Sequence, residues 1–400
     1  RLSPNALTLI ANSLNVSGDL MMFEIIEKQI NVDLPLGHHL HCMICQTPVH
    51  LGLNGSSFRL ADPEKKWDEV QSIFELVATG EGNLKKCHFL ALPEGAIPAE
   101  YVDMALTYIE EKFQPNSVTF FGVGHVPLVK YRDFLKRYPD DNSEALVSVT
   151  LDLDSGDIDE IPTNWSITAV KENDGRLRVF MQAKSHPFVE EEHLDEQHDL
   201  YRGKVFPLFH CQPNCFNFMS LVCLDYVYRD FYQSNINAVI DKANQLFFNK
   251  RQRLDLLMVL ECNPKPEHSV FRNVLNGFYG EYLAYTPGVK DTITVFCNSS
   301  EETSGLQKKE TLSFGNSSVT IHKNHKMAAA ENSEYQVDDF GGLPVCRLRF
   351  GTATRLYYLN LPMFHELDPR TTRAPLKLHG IFMPVNKSWH RLEDKNSNFQ

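Results

Sequence analysis

The sequence lacks any apolar run long enough to span a bilayer, and its start lacks the basic-then-apolar pattern of a signal peptide. No membrane association is predicted. It also lacks a Lys/Arg-rich block: 39 basic residues face 51 acidic ones, a net charge of −12. Nucleic-acid binding is not indicated by this segment. No repeat occurs at solenoid periods. The cysteines are nine, an odd number scattered from Cys42 to Cys346, without the spacing of a disulfide framework. That usage points to a reducing, cytoplasmic compartment. The sequons, for instance at Asn15 and Asn298, are read as accidental. The turn holding Gly122 and Gly124 has no Lys-Ser/Thr, which excludes a phosphate loop. Position 1 is Arg, which reads as a processed product or the tail of a longer protein.

What is present suits a large folded domain. Of 400 residues, 42% are hydrophobic and 22% charged, ample for a layered core. Short apolar runs alternate with longer amphipathic stretches, the pattern of an α/β domain. Residues 1–36 read as an N-terminal helical extension, with helical spacing over Leu20–Ile30. Residues 37–370 read as the main domain and 371–400 as a C-terminal extension ending in a charged tail. Within the main domain, Leu40–Val49, Cys87–Leu92 and Val118–Val123 read as strands, and Pro63–Thr79 and Glu100–Phe113 as helices. Tyr138–Glu160 reads as a polar insertion. Trp165–Val170 and Leu177–Ala183 form a hairpin about Asn173-Asp174-Gly175. Later strands are Phe216–Val222, Leu254–Glu261, Thr292–Asn298 and Leu348–Leu361, with helices over Val227–Asn249 and His268–Tyr285. Ser300–Glu310 and His325–Asp339 read as exposed loops.

Three reactive residues follow strands: Glu94 after His88–Leu92, Lys184 after Leu177–Ala183, and Cys223 after Phe216–Val222. In open α/β sheets, reactive groups collect beyond strand ends. A thiol that attacks an amide or nitrile carbon must lose a proton, which a carboxylate can take. Glu94 is the candidate base and then acid. Lys184 is the candidate cation for the negative intermediate, with the Leu224 N–H beside it. Taken alone, Cys223 is a core cysteine, Lys184 a surface lysine and Glu94 a turn residue.

The set resembles the nitrilase or carbon–nitrogen hydrolase superfamily. Leu92-Pro93-Glu94-Gly95 matches its Pro-Glu base motif. Lys184-Ser185-His186-Pro187 matches Lys-x-x-Pro, with Glu192 at the spacing of a second Glu. Val222-Cys223-Leu224-Asp225 matches a strand ending in Cys-x-Asp. Weaker echoes follow in order at Asn164, Asn263-Pro264, Val295–Asn298 and Phe314–Ser318. The departures are Met219 and Ser220 where glycine is usual, and Arg229-Asp230 where Pro-Glu is usual.

The resemblance implies an α-β-β-α sandwich with two mixed sheets. It implies catalysis by Glu94, Lys184 and Cys223, supported by Glu192, Leu224 and Asp225, on a small-molecule amide or nitrile, with no cofactor and no metal. It also implies a homo-oligomer. Nitrilase-like modules occur fused to other domains, including synthetases and bacterial reverse transcriptases used against phage. A fused or associated N-terminal domain and a role in antiviral defence are therefore expectations. The alternative is a catalytically altered module used for oligomeric assembly or ligand sensing.

Two other motifs were weighed. His38, His39, His41, Cys42 and Cys45 suggest a metal cluster, but on a strand His41 and Cys45 point one way and Cys42 the other. Tyr138-Pro139-Asp140-Asp141 imitates a polymerase motif, but its flanks Lys136, Arg137 and Asn142 are polar, so a loop is expected.

Overall fold

The computed structural model describes residues 24–35, 39–54, 57–81, 84, 86–156, 158–187, 200–227, 234–248, 250, 252–263, 286–290, 292–300, 313–320, 335–340, 343–350, 353–362, 376–386 and 388–392. In chain order its strands are β1 (Glu24–Ile30), β2 (His39–Gln46), β3 (Leu51–Asn54), β4 (Ser57–Leu60), β5 (Phe89–Ala91), β6 (Ser117–Pro127), β7 (Pro162–Lys171), β8 (Leu177–Ala183) and β9 (Val205–Cys211). They continue with β10 (Asn217–Val222), β11 (Leu256–Glu261), β12 (Ile293–Asn298), β13 (Ser313–Thr320), β14 (Tyr335–Phe340), β15 (Leu343–Phe350), β16 (Arg355–Pro362), β17 (Lys377–Val385) and β18 (Ser388–Arg391). The helices are α1 (Pro63–Thr79), α2 (Val102–Lys112), α3 (Leu128–Leu135), α4 (Ser143–Ser155), α5 (Leu224–Val227) and α6 (Asn235–Phe247).

Among the described residues there are two eight-stranded sheets and a two-stranded one, β3–β4. The first runs β1-β9-β10-β11-β12-β13-β15-β14 and the second β18-β17-β16-β2-β5-β6-β7-β8. Each is mixed. Strands β10, β11 and β12 are mutually parallel, as are β2, β5 and β6, and antiparallel strands flank both trios. Parallel strands need both faces covered, and side-chain alternation along the strands supplies this. Cys42, Ile44, Phe89, Ala91 and Phe120 of the second sheet meet Phe209, Phe218, Met258 and Leu260 of the first, forming the inter-sheet core. Their neighbours Met43, Cys45, Leu90, Phe121 and Val123 face outward onto α1 to α4. On the far side, Met219, Leu221, Leu257 and Val259 face outward onto α6. Four layers, α-β-β-α, follow from period-2 burial on the strands and one apolar stripe on each helix.

Several sequence expectations are corrected. The expected helix over Leu20–Ile30 is replaced by the strand β1, which pairs in parallel with β9 as an edge of the first sheet. A strand of the main sheet thus precedes residue 37. The expected tail carries β17 and β18, which continue the second sheet. The expected insertion over Tyr138–Glu160 holds α4, whose Ala145, Val149 and Leu153 are buried in the outer core. Leu348–Leu361 is not one strand: β15 ends at Phe350 in one sheet and β16 begins at Arg355 in the other. Val227–Asn249 holds the end of α5 and then α6, and Tyr335–Phe340 is a strand rather than loop. The expected helix His268–Tyr285 and the loop Ser300–Glu310, apart from Ser300, lie outside the described residues.

Asp141 does belong to a turn, between α3 and α4. Its carboxylate accepts from Arg178 Nε at 2.8 Å and from the Val179 N–H at 2.9 Å, an anchoring role. Among the described residues no helix is long and apolar enough to cross a membrane.

Candidate active site

Glu94 stands just beyond β5. Gly95 follows it with φ +68°, the left-handed region open to glycine, and reverses the chain behind the carboxylate. Strand β6 crosses this turn at very short range. A Cβ on Gly122 would lie 2.4 Å from the Glu94 Cα, so the approach requires glycine. Two backbone bonds fasten the crossing: Gly122 N–H to Pro93 O at 3.1 Å and Ile97 N–H to Gly122 O at 3.0 Å.

The carboxylate is buried, 5% exposed, and makes three hydrogen bonds. Its Oε1 accepts from Lys184 Nζ at 2.8 Å and from Asn164 Nδ2 at 2.7 Å. Its Oε2 accepts from the Cys262 N–H at 3.1 Å, just past β11 in the other sheet. Lys184 is fully buried. An isolated buried ammonium is strongly disfavoured, and here the Glu94 carboxylate stands in contact with it. Lys184 is placed by its backbone. Its N–H donates to Asn164 O at 2.8 Å and its carbonyl accepts from the Gly203 N–H at 2.9 Å. Asn164 therefore holds both members of the ion pair.

Cys223 joins β10 to α5. Its φ of +46° is left-handed, a strained conformation for a residue with a Cβ. The strain is held by its N–H donating to Leu260 O at 2.8 Å and its carbonyl accepting from the Tyr226 N–H at 3.1 Å. Leu224 is the first residue of α5. Asp225, fully buried, points back at the lysine segment. Its Oδ1 accepts from Ser185 N at 2.9 Å, Ser185 Oγ at 2.8 Å and His186 N at 3.0 Å.

These bonds close a circuit through the three motifs. Glu94 pairs with Lys184. The residue after Lys184 binds Asp225, two residues past Cys223. The end of β11 then bonds both Cys223, through Leu260 O, and Glu94, through Cys262 N. Glu94, Lys184, Cys223, Leu224 and Asp225 thus lie just past the ends of β5, β8 and β10, linked by this circuit. Glu192 lies outside the described residues.

Sequence reasoning missed the residue that joins two of these segments. Asn235 opens α6 and is buried. Its Nδ2 donates to Asp225 O at 3.0 Å and Ser185 Oγ at 3.2 Å, and lies 3.3 Å from His186 Nδ1. Its signal was faint: a Ser-Asn pair at a helix start, in which Ser234 supplies the cap. Of the weaker echoes, Asn298 binds the Asn263 N–H at 2.8 Å and its own N–H donates to Ser317 Oγ at 2.9 Å, a neighbouring strand-end bracket.

Such an arrangement offers a thiol, a carboxylate and a buried cation, the elements of nucleophilic acyl chemistry. Among the described residues no group of three or more His, Cys, Asp or Glu could hold a metal ion. His41 is engaged otherwise, with Nδ1 2.5 Å from Asn360 Oδ1 and its ring stacked on His88 and Tyr358.

No family model matches the sequence, and no curated protein matches it. The fold is similar to the crystal structure of a CN-hydrolase superfamily protein from Xanthomonas campestris that has an arsenic adduct in its active site, at 14% identity. The similarity covers 80% of this chain and 90% of that one, with a TM-score of 0.44.

Proposed function

We propose that this chain is a thiol-dependent hydrolase of non-peptide carbon–nitrogen bonds, acting on a small amide, nitrile or carbamoyl compound. The observation that carries the reading is the buried Glu94–Lys184 ion pair, tied to the Cys223 turn from both sides. Glu94 takes the thiol proton as Cys223 Sγ bonds to the substrate carbon. For an amide, the C=O π pair moves to oxygen, where Lys184 Nζ and the Leu224 N–H stabilise it. The pair then returns, the C–N bond breaks and Glu94 passes its proton to the leaving amine. A thioester on Cys223 remains. Water, deprotonated by Glu94, attacks it, releasing a carboxylate and restoring the thiol. Asp225, Ser185 and Asn235 hold the parts in register.

Cysteine labelling tests this. Burial pushes the thiols of Cys42, Cys45, Cys87, Cys211, Cys297 and Cys346 upward, Cys87 and Cys346 to about 12. Exposed Cys215 and half-buried Cys262 are the competitors. An unperturbed thiol is only about 3% ionised at pH 7. Iodoacetamide at pH 7, read by mass spectrometry, is expected to modify Cys223 at least about tenfold faster than Cys215, and Glu94→Gln to remove that advantage. If Cys223 reacts no faster than Cys215 in the folded protein, the hydrolase reading fails. The module for assembly or ligand sensing then takes its place.

A further inference from the structure

A concavity lies beside the Glu94 turn and takes no part in the chemistry above. It is a cavity of about 470 Å³ between the β3–β4 hairpin, the end of β6 and the start of α3. None of Glu94, Lys184 or Cys223 lines it. Its walls nevertheless continue the segments that hold Glu94. Pro98 to Glu100 follow the turn, and Gly124 to Pro127 follow Gly122 along β6. Gly124 is locked to the turn by its N–H bond to Ile97 O at 2.9 Å. Phe134, another wall, packs 4.9 Å from Trp165, whose neighbour Asn164 grips Glu94.

The charge of this lining runs against that of the whole molecule. In a chain of net charge −12, the cavity presents Arg59 and Lys130 against one acid, Glu100. Among the described residues neither Arg59 nor Lys130 forms an ion pair or side-chain hydrogen bond, while Arg137, Arg176, Arg178 and Lys204 all do. His125 is already braced edge-on against Phe58, at 5.7 Å. At the start of α3 the Leu128 and Val129 N–H groups are already taken, by Ile161 O and Asp159 O. The cationic side chains are therefore the anion-seeking groups. The body of the cavity is apolar, formed by Pro98, Pro127, Val126 and Phe134.

We propose that this cavity binds a small organic carboxylate. The guanidinium of Arg59 and the ammonium of Lys130 take the carboxylate oxygens, and the apolar body lies against Phe134 and the two prolines. Arg59 and Lys130 together outnumber Glu100 by one charge, which suits a monoanion. The site stands whether or not the thiol chemistry does.

Benzoate is the probe, with benzamide as its neutral twin of the same shape, titrated into the intact protein by calorimetry at fixed ionic strength. Benzoate is expected to bind at least about tenfold more tightly than benzamide, and Arg59→Ala and Lys130→Ala each to weaken it by about fivefold or more. Both side chains are exposed, so both variants are expected to keep the wild-type melting temperature. Equal binding of benzoate and benzamide overturns the proposal, and so does benzoate binding untouched by either variant or absent at 20 mM, roughly the weakest affinity such a site would have. Iodoacetamide labelling of Cys223 at saturating benzoate then identifies the source. Slowed labelling means that the carboxylate is one end of a molecule reaching the thiol. Unchanged labelling means a separate ligand of the same site.

Discussion

At the scale of single residues, the site rests on side chains that bridge segments far apart in sequence. Asn235 is the sharpest case, because one amide reaches the Cys223 turn and the Lys184 loop together. Asn235→Ala removes both donors and leaves Asp225 O and Ser185 Oγ short of a partner inside the protein. Losing such buried bonds costs about 1–3 kcal/mol. Iodoacetamide labelling of Cys223 is expected to slow by about tenfold at pH 7, with a lower urea midpoint. Asn235→Asp keeps the shape but sets a second carboxylate beside Asp225, and is expected to be worse on both readings. Wild-type labelling in both variants would show that Asn235 only packs at the start of α6. The positions of the three candidate residues were legible, because Pro-Glu, Lys-x-x-Pro and Cys-x-Asp each follow a strand. Asn235 was not. Its partners are 10 and 50 residues away, and nothing local marks an amide that works at long range.

Among the elements, those whose ends carry local signals were read well. Helix α1 has Asp62 at its cap, Pro63 in its first turn and Gly80 at φ +70° beyond its end, and its bounds match the sequence reading. Strand β1 was misread because Ile25, Ile26 and Ile30 also fit a helical stripe. Its partner, β9, lies far along the chain and decides the matter by parallel pairing. Lys28 on β1 is buried against Glu144 of α4, at 2.6 Å, a contact invisible to periodicity. The joint between β15 and β16 was missed because apolar alternation runs on while the chain changes sheets. The crossing of β6 over the Glu94 turn was legible only as two glycines. Gly122→Ala must push a methyl into the Glu94 backbone, and overpacking of this kind costs about 1–3 kcal/mol. The expected outcome is a lower urea midpoint with unchanged slope, and Cys223 labelling slowed through displacement of Glu94, the proposed base. A Gly122→Ala protein as stable as wild type would mean that the turn moves aside freely and that β6 does not fix Glu94.

For the whole molecule, the two sheets are cooperative only if both are complete, and the second depends on the far C-terminus. Strands β17 and β18 extend that sheet beyond β16. They bury Leu378, Ile381 and Phe382, and Trp389 Nε1 donates to Ser72 O of α1 at 3.1 Å, clamping the sheet to its helical layer. Three buried apolar side chains are worth about 5–9 kcal/mol together, as large as the net stability of many domains. Strand β16, moreover, carries the edge of β2, which pairs with β5, and β5 delivers Glu94. Truncation after Leu376 would leave β16 as an open edge and uncover the inter-sheet core beneath Ile381. The truncated chain is expected to lose its cooperative thermal transition and near-ultraviolet circular dichroism, to run as aggregate on size exclusion, and to lose preferential labelling of Cys223. Were it instead to melt cooperatively at the wild-type temperature, the last two strands would be an appendage, and the support for Glu94 would have to come from β6 and the Lys184 ion pair alone.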